Sequence, residues 1–228
     1  MPILLKTVEA AFSRELVGHL AARLGESESG VSRTVNALLP LVMGGIINGV
    51  GTGACLAIHE HSVRAFHSTD RKDFSVTDLL GIMGSGADAS GLLAQGERLL
   101  ATLFNQPDAA IAEAVSAYAG IKAESAGTVL RLVGAVLPAL LGQYTETYHL
   151  RPEALGVALL GLRNTVRGMV PRGLTGLTEL LWPEGMGTGA TCGSLQPGAG
   201  AAEASHLRWY QTLLASTSFV VLLTLTLV

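Results

Sequence analysis

Charge is what this chain has least of. Asp, Glu, Lys and Arg make up 14% of its 228 residues, against roughly 25% in an ordinary soluble domain. Such a surface fits a small-residue Ala/Gly exterior, a chain that oligomerises, or a chain that neighbours a membrane. The net charge of -3 supplies no bulk attraction for nucleic acid. Cysteine is scarce as well. Cys55 and Cys192 lie far apart, form no metal-binding spacing, and read as free thiols in a reducing compartment. The N-terminus does not have the shape of a secretory signal: the apolar run Ile3-Leu4-Leu5 is short, and Lys6 and Glu9 follow it closely. No window alternates apolar and polar residues between hairpin turns, so the expected class is all-α.

Patterns that carry catalysis are missing too. There is no Gly-x-Ser-x-Gly elbow. The glycine runs Gly49–Gly53 and Gly185–Gly189 follow no predicted strand and hold no Lys-Ser/Thr pair, so they are not phosphate loops. Cys55 has His59 one helical turn on, but the pair reads as a buried thiol beside a surface histidine. No catalytic residue, cofactor site or metal site is expected.

What the chain does have is a helical pattern stated twice. Ser32–Gly44 reads SRTVNALLPLVMG, and Thr128–Gly142 reads TVLRLVGAVLPALLG. Pro40 stands where Pro138 stands, and Gly44 where Gly142 stands. Gly25 precedes the first copy and Gly120 the second, at spacings that differ by three residues, close to one helical turn. These six residues define an expected internal repeat.

In order, Leu4–Leu24 has the apolar spacing of one amphipathic helix, which Gly25 ends. Ser27 or Ser29 caps the next, with Glu28 in its first turn. Pro40 is expected to open a new helix, because proline cannot hold a normal interior position. A shorter helix over Ala54–Phe66 follows, then Ser75-x-x-Asp78 as a cap for a helix through Met83, then a helix through Phe104. The second copy opens at Pro107-Asp108 and its long helix runs toward Tyr148. Pro152 suits the first turn of another helix, with Leu155, Leu159 and Leu162 inward, and Leu174–Leu181 gives the last. The expected organisation is a helical domain over 1–182, with repeat one at about 4–50, a middle segment at 54–104, and repeat two at about 107–148 with trailing helices.

Residues 183–205 hold eight Gly or Pro and read as a flexible linker. Trp209–Val228 then runs twenty residues without a charge, the length that crosses a bilayer core of roughly 30 Å. Arg208, Trp209 and Tyr210 sit at its start as interfacial anchors do. A terminal element docked on the domain or on a partner is the other reading. Arg208 on that flank favours a cytoplasmic domain on the bacterial inner membrane. Thr34–Ile58 is also uncharged, but Asn36, Pro40, Asn48 and several glycines argue for a core helix, and its counterpart carries Arg131 and Glu146.

Two polar clusters remain. His59, Glu60, His61, His67 and Asp70 resemble a metal set, yet His59 and His61 diverge by about 200° on a helix and read as a solvated face. Arg163 and Arg167, with Arg151 and Arg172, could meet phosphates of lipid or nucleic acid, although a solvated helix face explains them as well.

The motifs LGESESGVSRTVNALLPLVMGGIING (Leu24–Gly49) and AYAGIKAESAGTVLRLVGAVLPALLGQY (Ala117–Tyr144) resemble the YidB-like bacterial family known as domain of unknown function 937. The segment Asp73–Phe104 between them is similar to that family's Gly/Ser-rich middle. The resemblance implies an all-helical domain with no assigned activity and no catalytic residues to carry over. Some relatives place an OmpA-like domain after a transmembrane segment, and the linker and apolar tail here look like the start of that arrangement. The expected function is a non-catalytic protein-interaction or scaffold domain, acting on an unknown partner or on itself, held to the membrane by its tail. A helical module for a small ligand or lipid is the alternative.

Overall fold

The computed structural model describes residues 3–68, 87–104 and 108–177, all within the first of two compact units, Met1–Cys192 and Gly193–Val228. Among the described residues every regular element is a helix. The expectations for Asp70, Ser75–Met83, Thr178–Leu181, Cys192, the 183–205 linker, and Arg208, Trp209 and Tyr210 with their tail lie outside the described residues.

The first expected helix is two. Helix α1 (Ile3–Ala11) and helix α2 (Arg14–Leu24) part at Ser13, which is extended and whose Oγ accepts the Leu16 N–H at 3.3 Å. Apolar spacing hid this break, because Leu5, Val8, Phe12, Leu16 and Leu20 are buried on both sides of it. Helix α2 stops where Gly25 takes φ 65°, and the Ala21 carbonyl accepts from the N–H groups of both Gly25 and Glu26.

Helix α3 (Glu28–Gly51) is capped by Ser27, whose Oγ accepts the Gly30 N–H at 3.1 Å. It runs unbroken through Pro40, which corrects the expectation of a new helix there. A proline inside a helix removes one hydrogen bond and costs about 3 kcal/mol. Here Leu38, Leu41, Val42 and Met43 are all buried around it. Fully burying such side chains contributes roughly 2 kcal/mol each, so tertiary packing outweighs the local penalty.

Helices α4 (Cys55–His67), α5 (Ala87–Leu103), α6 (Asp108–Ala119) and α7 (Ala123–Thr147) follow. Helix α6 ends at Gly120 with φ 74°, and a three-residue link leads to α7, as Gly25 and its link lead to α3. Pro138 sits buried inside α7 as Pro40 does inside α3. Helix α8 (Pro152–Gly161) carries its proline at the first turn and buries Leu155 and Leu159. Helix α9 (Arg163–Met169) and a 3-10 turn (Arg172–Leu174) complete the described body.

Helix α7 is the centre. Helices α1, α3, α4, α5 and α6 all pack against it. Two of these crossings are possible only because a side chain is missing. A Cβ on Gly142 would overlap the Ser62 carbonyl of α4, and one on Gly96 of α5 would overlap the Arg131 carbonyl of α7. Both α3 and α7 are long and apolar enough to cross a membrane, but 83% and 89% of their most apolar windows are buried by other helices. Their buried threonine hydroxyls are satisfied within the helix: Thr34 donates to the Gly30 carbonyl and Thr145 to the Leu141 carbonyl.

Cys55 is disulfide-bonded, which corrects the expectation of a free thiol.

Candidate functional site

In three places of the described body the fold gives titratable side chains defined surroundings. The first is α4. His59 Nε2 lies 3.0 Å from the Leu150 carbonyl, which can only accept, so that ring nitrogen carries the proton. His61 turns inward, and burial, helped by the Arg64 charge, lowers its pKa from the ordinary 6.5. His67 Nε2 meets Glu146 of α7 at 3.5 Å across an exposed surface. His59 and His67 thus face different partners, and the burial of His61 corrects the expectation that it belongs to a solvated face. Among the described residues no group of three or more His, Cys, Asp or Glu could hold a metal ion.

The second place joins α5, α6 and α7. Arg131 reaches Asp108 with Nε at 3.1 Å and Nη2 at 3.0 Å, and its Nε lies 4.0 Å from Glu97. The charge that argued against a bilayer position for α7 is paired at the protein surface.

A third place joins the two link segments. Lys122 occupies the N-cap of α7 but offers no side-chain cap. Glu26, from the α2–α3 link, supplies one instead: its Oε1 accepts the Lys122 N–H at 3.0 Å and the Ser125 hydroxyl at 2.8 Å. Those two hydrogen bonds lower the Glu26 pKa below its usual 4.5. The carboxylate also sits where the α7 dipole favours negative charge. Sequence reasoning missed this residue, since its partners lie more than ninety positions away.

Of the residues that define the expected repeat, Gly25 and Gly120 hold positive φ, Pro40 and Pro138 lie in helix interiors, and Gly44 and Gly142 are buried. Gly142 meets the α4 backbone; in α3 it is Gly45, beside Gly44, that has a close neighbour, with the Phe104 ring 2.7 Å from where a Cβ would stand. Sequence reasoning also missed Gly96, and it took Asn48 only as a residue unsuited to a bilayer, whereas its Oδ1 is buried without a hydrogen-bond partner. The arginines fall on the last elements: Arg151 at the N-cap of α8, Arg163 and Arg167 at the two ends of α9, and Arg172 in the 3-10 turn.

Glu26, His67 and Arg131 thus cap or pair elements of an all-α domain whose close helix crossings rest on glycines. The chain belongs to the family described as "bacterial protein of unknown function (DUF937)", which matches residues 6–144. That match spans α1 to most of α7 and includes both proline-bearing helices. Comparisons with curated proteins and with solved structures return no match.

Proposed function

We propose that this protein is a non-catalytic interaction or scaffold domain held at the bacterial inner membrane by Trp209–Val228. The observation that carries this reading is the uncharged twenty-residue stretch joined by a Gly/Pro-rich segment to a body with a low charge content. Glu26, His59, His67 and Arg131 each bridge separate elements of that body, which supports a binding role over catalysis. The working mechanism is burial of a charge-poor helix face against a partner protein or a second copy. Cell fractionation of the chain with and without 209–228 tests the anchor: the full chain stays with membranes after alkaline washing, and the shortened chain is soluble. A full chain released by alkali contradicts it. Light scattering in detergent, with pull-down, tests the scaffold role. A strict monomer that captures no protein counts against it.

Two signals bear on the side of the membrane and they oppose each other. Arg208 favours a cytoplasmic domain. The disulfide at Cys55 favours an oxidising compartment, because bacterial cytoplasmic thiols are kept reduced. Labelling intact cells with a membrane-impermeant thiol reagent, before and after reduction, decides between them. Labelling only after reduction places the domain outside.

A further inference from the structure

We propose that the segment from Arg151 to Gly173 is a docking surface for an anionic bilayer, with its arginines against lipid phosphates and Val157 and Tyr118 entering the headgroup layer. Four arginines and one glutamate occupy this segment, in a chain where acidic residues outnumber basic ones by 18 to 15. Arg151, Arg167 and Arg172 are exposed. Arg163 and Arg167 are four apart on α9 and share a face. Both also engage other groups of the chain, and an arginine has five donors to divide among partners.

The apolar component belongs to the same segment, where Glu153 stands one turn before Val157. Helix α8 sends Leu155 and Leu159 inward and leaves Ala154, Val157 and Gly161 outside. Val157 is 69% exposed, against 49% or less for the other large exposed hydrophobics of the described body. Tyr118 of α6 lies against Gly173, next to Arg172, with a Gly173 Cβ position 3.1 Å from its ring. Arginines, a tyrosine and an exposed aliphatic side chain are the residue types that suit a headgroup region, where phosphate and the upper acyl chain lie close together.

The occupant is a bilayer because charge complementarity and the tether agree. The described body ends at Leu177, directly after these elements, and 31 residues lead from there to Trp209. A Gly/Pro-rich chain of that length has a mean span on the order of 30 Å. If the tail is inserted, this segment is the part of the body nearest in sequence to the lipid. The proximity argument rests on the proposed anchor; the chemical match does not.

The test uses the full chain with vesicles of phosphatidylcholine alone, or of phosphatidylcholine mixed equally with phosphatidylglycerol. Amide exchange in the links around 148–151 and 170–173 should slow several-fold on the anionic vesicles only, and high salt should abolish that protection. Charge reversal in an R163E/R167E chain should weaken the effect about tenfold or more. The milder R151Q/R172Q chain should weaken it less, which covers the case in which the first variant fails to fold. Equal exchange on both vesicle types overturns the proposal. So does equal protection by a duplex DNA oligonucleotide, which would make the site a general polyanion surface. Alkaline extraction reads the anchor separately. A chain that alkali releases, yet that is protected on anionic vesicles, keeps docking and loses the anchor. A chain that resists alkali without lipid-dependent protection keeps the anchor and loses docking.

Discussion

Helices α3 and α7 have nearly the same length, carry one internal proline each, and follow a short helix ended by a left-handed glycine. Their surroundings differ. Around α7, glycines admit backbone: Gly142 meets the Ser62 carbonyl, and Gly96 of α5 meets the Arg131 carbonyl. Along α3, glycines admit side-chain ends: Gly45 meets the Phe104 ring, and Gly49 meets Ile58 Cδ1 at 3.2 Å. The caps differ as well. Helix α3 uses its own Ser27, whereas α7 borrows Glu26 from the other link. Similar sequence patterns therefore give one helix that is largely self-sufficient at its start and one fixed by its neighbours.

The largest test of that contrast is substitution of the glycines. Gly96→Ala and Gly142→Ala should each cost about 3 kcal/mol or more, because helix backbone cannot step aside cheaply. Gly45→Ala should cost roughly 1–2 kcal/mol, as a phenyl ring shifts. Gly49→Ala should fall within about 1 kcal/mol of neutral, since alanine's helix propensity offsets the contact. Denaturant midpoints rank the four. An order that ignores whether backbone or side chain is met breaks the comparison.

Next in size is the cap. Ser27→Ala should destabilise by about 1 kcal/mol, the usual cost of losing a serine N-cap.

Smaller effects sharpen the picture through pH. The folded protein holds His61 neutral below its ordinary pKa of 6.5, so the unfolded chain takes up a proton that the fold refuses. Stability should fall as pH drops through 6.5 toward the lowered value, and His61→Gln should flatten that part of the thermal-melting profile. Glu26 acts at lower pH. Its folded pKa lies below 4.5, so its contribution is complete above 4.5 and is lost as pH falls through the lowered value. A Glu26→Gln chain should melt slightly below wild type at neutral pH and match it in strong acid. Because this carboxylate is solvent-exposed, the difference should be the smallest here and should shrink in salt.

What the sequence revealed follows from the range of each interaction. Gly25, Gly120, Ser27 and the first-turn Pro152 were readable because a cap or a left-handed stop depends on a few adjacent residues. Helix geometry separated His59 from His61, but the solvated face expected for both did not foresee the burial of His61. Pro40 misled because its local penalty is visible in the sequence, while the packing that outweighs it is not. The break at Ser13 was hidden by an apolar period that continues across it. Glu26 and Gly96 were invisible for a different reason: each matters only through a partner brought close by the fold.

Native-state hydrogen exchange on the full chain tests the central role of α7 most directly. Amides of Val129–Leu141 should exchange only through global unfolding, at least as slowly as those of Val31–Ile46, while α1 opens earlier. If Val129–Leu141 instead exchange through a lower-energy opening than Val31–Ile46, α7 is not the helix around which the others are assembled.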